Sequence, residues 1–224
     1  MEIPQTVEVS TADNVEGSVV WLHGLGADGH DFEPIVPELR IPDAPGLRFV
    51  FPHAPVQPVT LNGGMAMRAW YDIYSLERNG PVDEAGITQS MEVLRALVER
   101  EIERGIPAEK IVVAGFSQGG AIASQFALQY EKPLAGLMAL STYMPMGNKI
   151  ASKVADNDNA QPRSLPIFMA HGQFDPVLPF EAGKTARDTM LELGYRVEWK
   201  DYPMPHAVCT DEIADISAWL NQRF

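Results

Sequence analysis

Short apolar runs rich in β-forming residues alternate with longer segments of helical periodicity between residues 18 and 202. Such alternation is typical of βαβ units built around a mostly parallel sheet. A shorter run whose apolar residues alternate with polar ones, at 6–10, predicts an edge strand. Several of the other runs are apolar at consecutive positions, as expected when helices cover both faces of the sheet. These fuller strands are predicted at 18–23, 47–52, 111–116, 135–141, 167–171 and 196–202.

Helices are predicted between the strands. Apolar residues from Ile87 to Ile102 recur three or four positions apart, and Gly105 can end that helix. Near the C-terminus, Thr210 is the predicted N-cap of a further helix with Ile213 on its apolar face.

Two stretches fit neither a strand nor a helix. Residues 54–75, with several Pro and Gly, are too irregular for a core element and are predicted to pass over the sheet. Residues 152–165 are polar and are predicted to form a surface loop. Because neither stretch interrupts the alternation, residues 1–224 are predicted to form a single domain.

Charge and composition narrow the classes of partner. The chain has 17 basic and 30 acidic side chains among 224 residues, a formal net charge of −13. Without a cluster of Lys and Arg, this balance argues against nucleic acid and against docking on an anionic membrane. No apolar stretch approaches the roughly 18 residues that span a bilayer, so no stable membrane insertion is expected.

The single cysteine, Cys209, excludes an internal disulfide and a multi-cysteine metal cage. Together with an N-terminus that shows no export signal, it suggests a cytoplasmic protein.

A serine lies between a predicted strand and a predicted helix, in the sequence Gly-Phe-Ser-Gln-Gly at 115–119. A G-x-S-x-G pattern in that context is what a nucleophile elbow requires. The sharp turn holds Ser117 in a strained conformation, and the flanking glycines remove Cβ atoms that would collide with neighbouring backbone. The alternative is a purely structural Gly-Ser turn.

A serine hydroxyl needs a base to take its proton and an acid to orient that base. In an α/β-hydrolase the chain order is Ser, then Asp or Glu, then His. Three of the five histidines precede Ser117, which leaves His171 and His206. Only His206 leaves room for an acid between itself and Ser117, so it is the predicted base.

The predicted acid is Asp175, which follows the penultimate strand at the carboxyl edge of the sheet. Three other aspartates compete with it. Asp201 lies only five positions before His206, and Asp156 and Asp158 lie in the polar stretch. Asp175 is therefore the best candidate.

A glycine-rich segment, His-Gly-Leu-Gly-Ala-Asp-Gly at 23–29, follows the strand at 18–23 and contains a G-x-G-x-x-G. In a dinucleotide site this pattern needs an acidic residue about 20 positions further on to hold the ribose. The next strand ends instead in Pro, His and Ala at 52–54. In a hydrolase the same glycines let a backbone N–H, that of Leu25, face the oxyanion, with the N–H of Gln118 as the second donor.

Six segments, in order along nearly the whole chain, resemble the small bacterial-type carboxylesterase, lysophospholipase and acyl-protein thioesterase family of α/β-hydrolases. They are HGLGADG at 23–29, PHAPVQPVTLN at 52–62, WYDI at 70–73, GFSQGG at 115–120, HGQFDPVLP at 171–179 and YPMPHAV at 202–208. The resemblance implies a mostly parallel central sheet with helices on both faces and no large lid domain. It also matches the family triad to Ser117, Asp175 and His206, and the oxyanion donors to Leu25 and Gln118.

One residue departs from the family pattern. The family usually has glycine directly before the catalytic histidine, whereas Pro205 stands there in this chain. Proline fixes φ and has no N–H, so the histidine loop is expected to differ in shape.

The resemblance places a flap beside an acyl pocket. Predicted pocket residues are Met65, Trp70, Ile73 and Val177, with the alternative that some of them only cap the core. The predicted function is a serine carboxylesterase that hydrolyses short to medium acyl esters through an acyl-enzyme, without a cofactor or metal. A lysophospholipase or an acyl-protein thioesterase with the same triad is the alternative, and a non-catalytic binding protein of the same fold is a remote one. The expected partner is a small acyl ester or thioester, and a homodimer is plausible.

Overall fold

The computed structural model describes residues 3–41, 44–76, 80–155 and 163–224. The strands within these ranges are β1 (Thr6–Ser10), β2 (Val15–Leu22), β3 (Gly46–Pro52), β4 (Val56–Val59), β5 (Met65–Arg68), β6 (Ile111–Phe116), β7 (Gly136–Leu140), β8 (Ile167–Gly172) and β9 (Val197–Tyr202). The α-helices are α1 (Glu84–Glu103), α2 (Gln118–Ala127), α3 (Gly147–Ala155), α4 (Phe180–Glu192) and α5 (Thr210–Asn221).

Seven of the strands form one sheet in the order β1-β3-β2-β6-β7-β8-β9. β1 pairs antiparallel with β3, and every other pair in this sheet is parallel. The predicted edge strand and all six fuller strands are therefore confirmed. In a parallel sheet the carboxyl ends of the strands meet at one edge, which gathers the segments after β2, β6, β7, β8 and β9.

Helices cover both faces of the sheet, as predicted. In β2, Val20 and Leu22 point into a core with α1 and α2, whereas Val19 and Trp21 point into a second core with α5. Because each face of the strand is buried by helices, consecutive residues of β2 are apolar.

The stretch at 54–75 is more regular than its sequence suggests. β4 and β5 pair antiparallel within it as a separate two-stranded sheet. Its residues Val59, Ala69 and Trp70 are buried in the main core, so the stretch is partly a core element. Strands of four residues are too short for periodicity to reveal them.

Two smaller expectations also need correction. The last helix is capped by Cys209, and Thr210 is its first residue, because the extended backbone ends at Cys209. Of the predicted loop at 152–165, residues 152–155 belong to α3. Residues 156–162, with the competing aspartates Asp156 and Asp158, lie outside the described residues.

No large lid domain covers the carboxyl edge of the sheet in the described part of the chain. The described helices also include none with the length and apolar character needed to cross a bilayer.

Candidate active site

Ser117 occupies a strained turn at the carboxyl edge of the sheet. It joins β6 directly to α2 and has φ 53° and ψ −117°, a conformation that costs free energy for any residue with a Cβ. Two hydrogen bonds hold it there. The Ser117 N–H donates to the Leu140 carbonyl (2.9 Å), and the Thr142 hydroxyl donates to the Ser117 carbonyl (2.6 Å).

Glycines beside the serine allow close approach of three backbone segments. A Cβ at Gly115 would lie 2.3 Å from the carbonyl carbon of Gly119, and one at Gly119 would lie 2.4 Å from the Leu22 carbonyl oxygen. Neither position can accept a side chain without moving backbone. The local sequence therefore requires both glycines for the same turn that strains Ser117.

His206 and Asp175 form a direct pair. The Nδ1 atom of His206 lies 2.6 Å from Oδ2 of Asp175, and the carboxylate is buried. The other carboxylate oxygen accepts the backbone N–H groups of Val177 and Leu178, each at 2.8 Å. Since Nδ1 must carry the proton to donate to the carboxylate, Nε2 of His206 is left as the free base.

The fold brings this pair together from two neighbouring loops. Asp175 follows β8, His206 follows β9, and these strands are parallel neighbours. Backbone bonds continue beyond the strands: the Gln173 N–H donates to the Tyr202 carbonyl (2.8 Å), and the Phe174 N–H donates to the Met204 carbonyl (3.2 Å).

Pro205 does not keep His206 from Asp175. Its carbonyl accepts the Ala207 N–H at 2.9 Å, which forms a tight turn around the histidine. A Cβ at Gly172 would lie 2.4 Å from the Pro205 carbonyl oxygen, so glycine at 172 makes room for this loop. The ring of His206 also packs on Phe116, with centroids 4.8 Å apart.

A cavity of about 450 Å³ opens beside the serine. Ser117 and His206 both line it, and so do the predicted residues Leu25, Gln118, Ile73 and Val177. The full lining is Gly24, Leu25, Ala27, Asp31, Leu61, Asn62, Ile73, Leu76, Phe116, Ser117, Gln118, Tyr143, Val177, Leu178 and His206.

Two predicted pocket residues lie elsewhere. Trp70 is only 2% exposed and is absent from the lining, because its indole Nε1–H points inward and donates to the His23 carbonyl (2.9 Å). Met65 is also absent from the lining. It is 64% exposed and is the first residue of β5. The structure therefore does not bring Trp70 and Met65 to the lining of this cavity.

A second cavity of about 420 Å³ adjoins the first. The two share Ile73, Leu76, Tyr143 and Leu178. Sequence reasoning missed Tyr143, although it follows β7 at the carboxyl edge of the sheet, the edge where parallel sheets place their sites.

The backbone N–H groups of Leu25 and Gln118 donate to no acceptor among the described residues. The Gln118 N–H is at the start of α2, where a helix has no internal partner for it. Gly24 approaches the serine closely, since a Cβ at Gly24 would lie 3.4 Å from Cβ of Ser117. The glycine-rich segment thus faces the serine, which favours its use as an oxyanion loop over a cofactor loop.

His171, the rejected base, is a buried neighbour of Asp175. Its Nε2 lies 3.0 Å from the Leu178 carbonyl and 3.5 Å from Asp175 Oδ2. Burial lowers the pKa of His171, so the ring is neutral and supports the loop that holds Asp175. No group of three or more His, Cys, Asp or Glu side chains is placed to hold a metal in the described ranges.

The sheet order, together with the strained serine turn between β6 and α2, defines the chain as an α/β-hydrolase. The family model described as phospholipase/carboxylesterase matches residues 4–223. The chain belongs to this family, a group of ester-hydrolysing enzymes.

Individual relatives agree with this assignment. The chain is 39% identical over 213 residues to acyl-protein thioesterase 1 of Neurospora crassa, covering 92% of this chain and 86% of that protein. It is 34% identical over 221 residues to a probable carboxylesterase of Oryza sativa subsp. japonica, covering 97% and 81%.

Solved structures show the same fold. The crystal structure of Arabidopsis thaliana SOBER1 is 32% identical, with a TM-score of 0.85 over 92% of this chain and 98% of that one. Zea mays acyl-protein thioesterase 2 is 26% identical, with a TM-score of 0.87 over 98% and 99%.

Proposed function

We propose that this protein hydrolyses short to medium acyl esters through a covalent acyl-enzyme on Ser117, with His206 as general base and Asp175 as its orienting acid. The observation that carries the proposal is the 2.6 Å contact between His206 Nδ1 and Asp175 Oδ2, with Ser117 and His206 lining one cavity. No cofactor or metal takes part in the scheme.

In the first step, Ser117 Oγ attacks the carbonyl carbon while Nε2 of His206 takes the hydroxyl proton. The carbonyl oxygen becomes negative and accepts hydrogen bonds from the backbone N–H groups of Leu25 and Gln118. When the tetrahedral intermediate collapses, the bond to the leaving oxygen or sulfur breaks. His206 then returns its proton to the departing alcohol or thiol.

In the second step, water enters the place of the leaving group. His206 takes a proton from this water, whose oxygen attacks the acyl carbon on Ser117. The second intermediate uses the same two N–H groups. When this intermediate collapses, the bond between the acyl carbon and Ser117 Oγ breaks and the carboxylic acid leaves. His206 returns its proton to Oγ, which restores the Ser117 hydroxyl.

The size and lining of the first cavity support a short to medium acyl chain. Ile73, Leu76 and Val177 give it an apolar wall that suits an alkyl group. A long-chain acyl-protein thioesterase or lysophospholipase is the second candidate. It is favoured by the adjoining cavity of about 420 Å³, which could extend the space for the chain, and by the relatives named acyl-protein thioesterase.

The proposal is tested by initial rates on p-nitrophenyl esters of increasing acyl length, beside a palmitoyl thioester and a lysophospholipid. The expected result is a maximum at short or medium chains that is lost in Ser117→Ala. A maximum on the palmitoyl thioester or the lysophospholipid would select the second candidate. Full activity in Ser117→Ala would overturn the mechanism, and no turnover by the native protein would favour a non-catalytic binding protein.

We further propose that the chain is one cytoplasmic domain that forms a homodimer. A single seven-stranded sheet buried on both faces supports one domain, and a lone cysteine supports a reducing compartment. Exposed Val56, Met65 and Phe174 provide apolar surface for a second copy. Sedimentation velocity that finds only monomer at micromolar concentration would overturn the dimer.

A further inference from the structure

His23 is a buried histidine outside the proposed triad, with both ring nitrogens in use. Its Nδ1 lies 2.7 Å from the Gly24 carbonyl oxygen, and its Nε2 lies 3.1 Å from the backbone nitrogen of Ala54. Since the Ala54 N–H donates to Nε2, that nitrogen carries no proton. The proton is therefore on Nδ1, which donates to the Gly24 carbonyl.

The Gly24 carbonyl belongs to the same peptide unit as the Leu25 N–H. A trans peptide is planar, so its C=O and N–H point in opposite directions. When His23 Nδ1–H holds the carbonyl on one side, the Leu25 N–H must face the other side. The Ala27 N–H also donates to this carbonyl, at 3.3 Å, and adds a second, longer bond in support.

The cavity of Ser117 lies beside this peptide, since Gly24 is one of its lining residues. Leu25 lines that cavity, and a Cβ at Gly24 would lie 3.4 Å from Cβ of Ser117. The Leu25 N–H has no acceptor among the described residues. A donor held without a partner beside a serine is ready for a charge that develops during the reaction.

Trp70 connects this arrangement to the second donor. Its indole Nε1–H donates to the His23 carbonyl (2.9 Å), and its backbone N–H donates to Oε1 of Gln118 (2.8 Å). The side chain of Gln118 also donates to the Tyr71 carbonyl (2.8 Å). The segments that carry the Leu25 and Gln118 N–H groups are thus tied to one tryptophan.

We infer that His23 is a positioning residue that aims the Leu25 N–H at the oxyanion by holding the Gly24 carbonyl, with Trp70 linking it to Gln118. The inference rests on the proposed function, since an oxyanion forms only if Ser117 attacks a carbonyl. His23 does not touch the substrate; it acts through one peptide unit.

The required tautomer persists through the neutral pH range. Burial is the largest cause that lowers the pKa of His23 to about 4, with smaller effects from nearby His53 and Arg68 in the same direction. The Gly24 carbonyl and Asp28 act in the opposite direction. A neutral ring keeps Nε2 as an acceptor, so the Ala54 N–H continues to hold the imidazole.

Two variants of His23 separate its two hydrogen bonds. His23→Asn keeps an N–H donor near the position of Nδ1, and His23→Gln keeps an acceptor near the position of Nε2. The readouts are kcat and KM on p-nitrophenyl butyrate, and inhibition by an alkyl trifluoromethyl ketone, whose serine adduct carries an oxyanion. Thermal unfolding of each variant reports on the fold.

We expect His23→Gln to lose about 10- to 100-fold in kcat with KM within about twofold, because the lost interaction acts in the transition state. Its affinity for the trifluoromethyl ketone should fall in proportion to kcat. His23→Asn should recover most of both values. Trp70→Phe, which removes the indole N–H together with part of the ring system, should show a smaller loss of the same kind.

The inference is overturned if folded His23→Gln retains native kcat and ketone affinity, or if His23→Asn and His23→Gln lose activity only in parallel with thermal stability. Failure of the proposed function is recognised separately, because Ser117→Ala would then be as active as the native protein. If Ser117 is not the nucleophile, no measured rate depends on Ser117, and the His23 variants then carry no information about an oxyanion at that serine.

Discussion

His206 Nδ1 lies 2.6 Å from Asp175 Oδ2, although 31 positions separate the two residues along the chain. The contact exists because β8 and β9 are parallel neighbours whose following loops continue the pairing. The backbone N–H groups of Val177 and Leu178 donate to the other carboxylate oxygen of Asp175. The carboxylate is thus fixed in direction before any substrate arrives.

Replacement of Asp175 by Asn should abolish most of the activity with little change in fold. The amide oxygen can still accept the Val177 and Leu178 N–H groups, but the amide N–H₂ facing His206 favours the wrong tautomer. We expect kcat to fall about 10³- to 10⁴-fold. Steady-state kinetics check this, with Asp201→Asn as the matched control that should keep native kcat; equal losses in both variants would contradict the assignment of the acid.

Replacement of Tyr143 by Ala should shift the chain-length preference towards longer acyl groups. Tyr143 lines both cavities, and its hydroxyl lies 2.5 Å from that of Tyr71. Removal of the ring should therefore join the two cavities into one longer space. A series of p-nitrophenyl esters from C2 to C12 measures the shift, and Tyr143→Phe, which keeps the ring, should leave the optimum unchanged. An unchanged optimum in Tyr143→Ala would show that the ring is not the partition.

Asp31 should favour substrates with a cationic leaving group. Asp31 lines the cavity of Ser117, and the protein as a whole carries a formal charge of −13. Butyrylcholine and its neutral isostere 3,3-dimethylbutyl butyrate provide a matched pair. We expect Asp31→Asn to lower the ratio of their kcat/KM values about two- to fivefold, the range of a solvent-screened ion pair. Glu33→Gln, outside the lining, is the control; a ratio unaffected by Asp31→Asn would contradict the prediction.

Glu212 should make the protein less stable as the pH rises. The residue is buried in the first turn of α5, and burial raises its pKa to about 8, with Asp215 acting in the same direction. Unfolding restores a pKa near 4.5, so its favourable contribution is complete below pH 4.5 and is lost as the pH rises towards 8. The loss approaches about 1.4 kcal/mol per pH unit within that window.

Urea unfolding between pH 5 and pH 8 measures the contribution of Glu212. Glu212→Gln, which is neutral at every pH, should flatten the decline in the free energy of unfolding over this range. Asp211→Asn, at the exposed neighbouring position, should leave the slope as it is in the native protein. If the free energy of unfolding of Glu212→Gln declined with pH as steeply as that of the native protein, the Glu212 carboxyl would not titrate between pH 5 and pH 8.

Much of the fold follows from local sequence. The β6–Ser117–α2 turn is contiguous in the chain, so strand, strained residue and glycines can be read together. The parallel strands were predictable because burial on two faces requires consecutive apolar residues. The hairpin of β4 and β5 was not, since each strand has only four residues and its pairing partner decides its structure.

The positions of the side chains around the cavity are harder to predict from short stretches of sequence. The sequence predicts Trp70 as a pocket residue, yet its indole donates to the His23 carbonyl, 47 positions away. Tyr143 and Leu178 are not among the predicted pocket residues, although both line the cavity. The direction of a side chain depends on what packs around it, and that information is spread over distant segments.

The sequence by itself determined which residues could do chemistry and which strand each of them follows, because strand periodicity and glycine-flanked turns are properties of short stretches. Only the tertiary structure decided that His206 meets Asp175, that the Trp70 indole donates to the His23 carbonyl, and that the Ala54 N–H donates to the His23 ring. These are hydrogen bonds whose lengths depend on how separate loops pack at one edge of the sheet. A single segment cannot specify them, since each bond needs its partner to be in place.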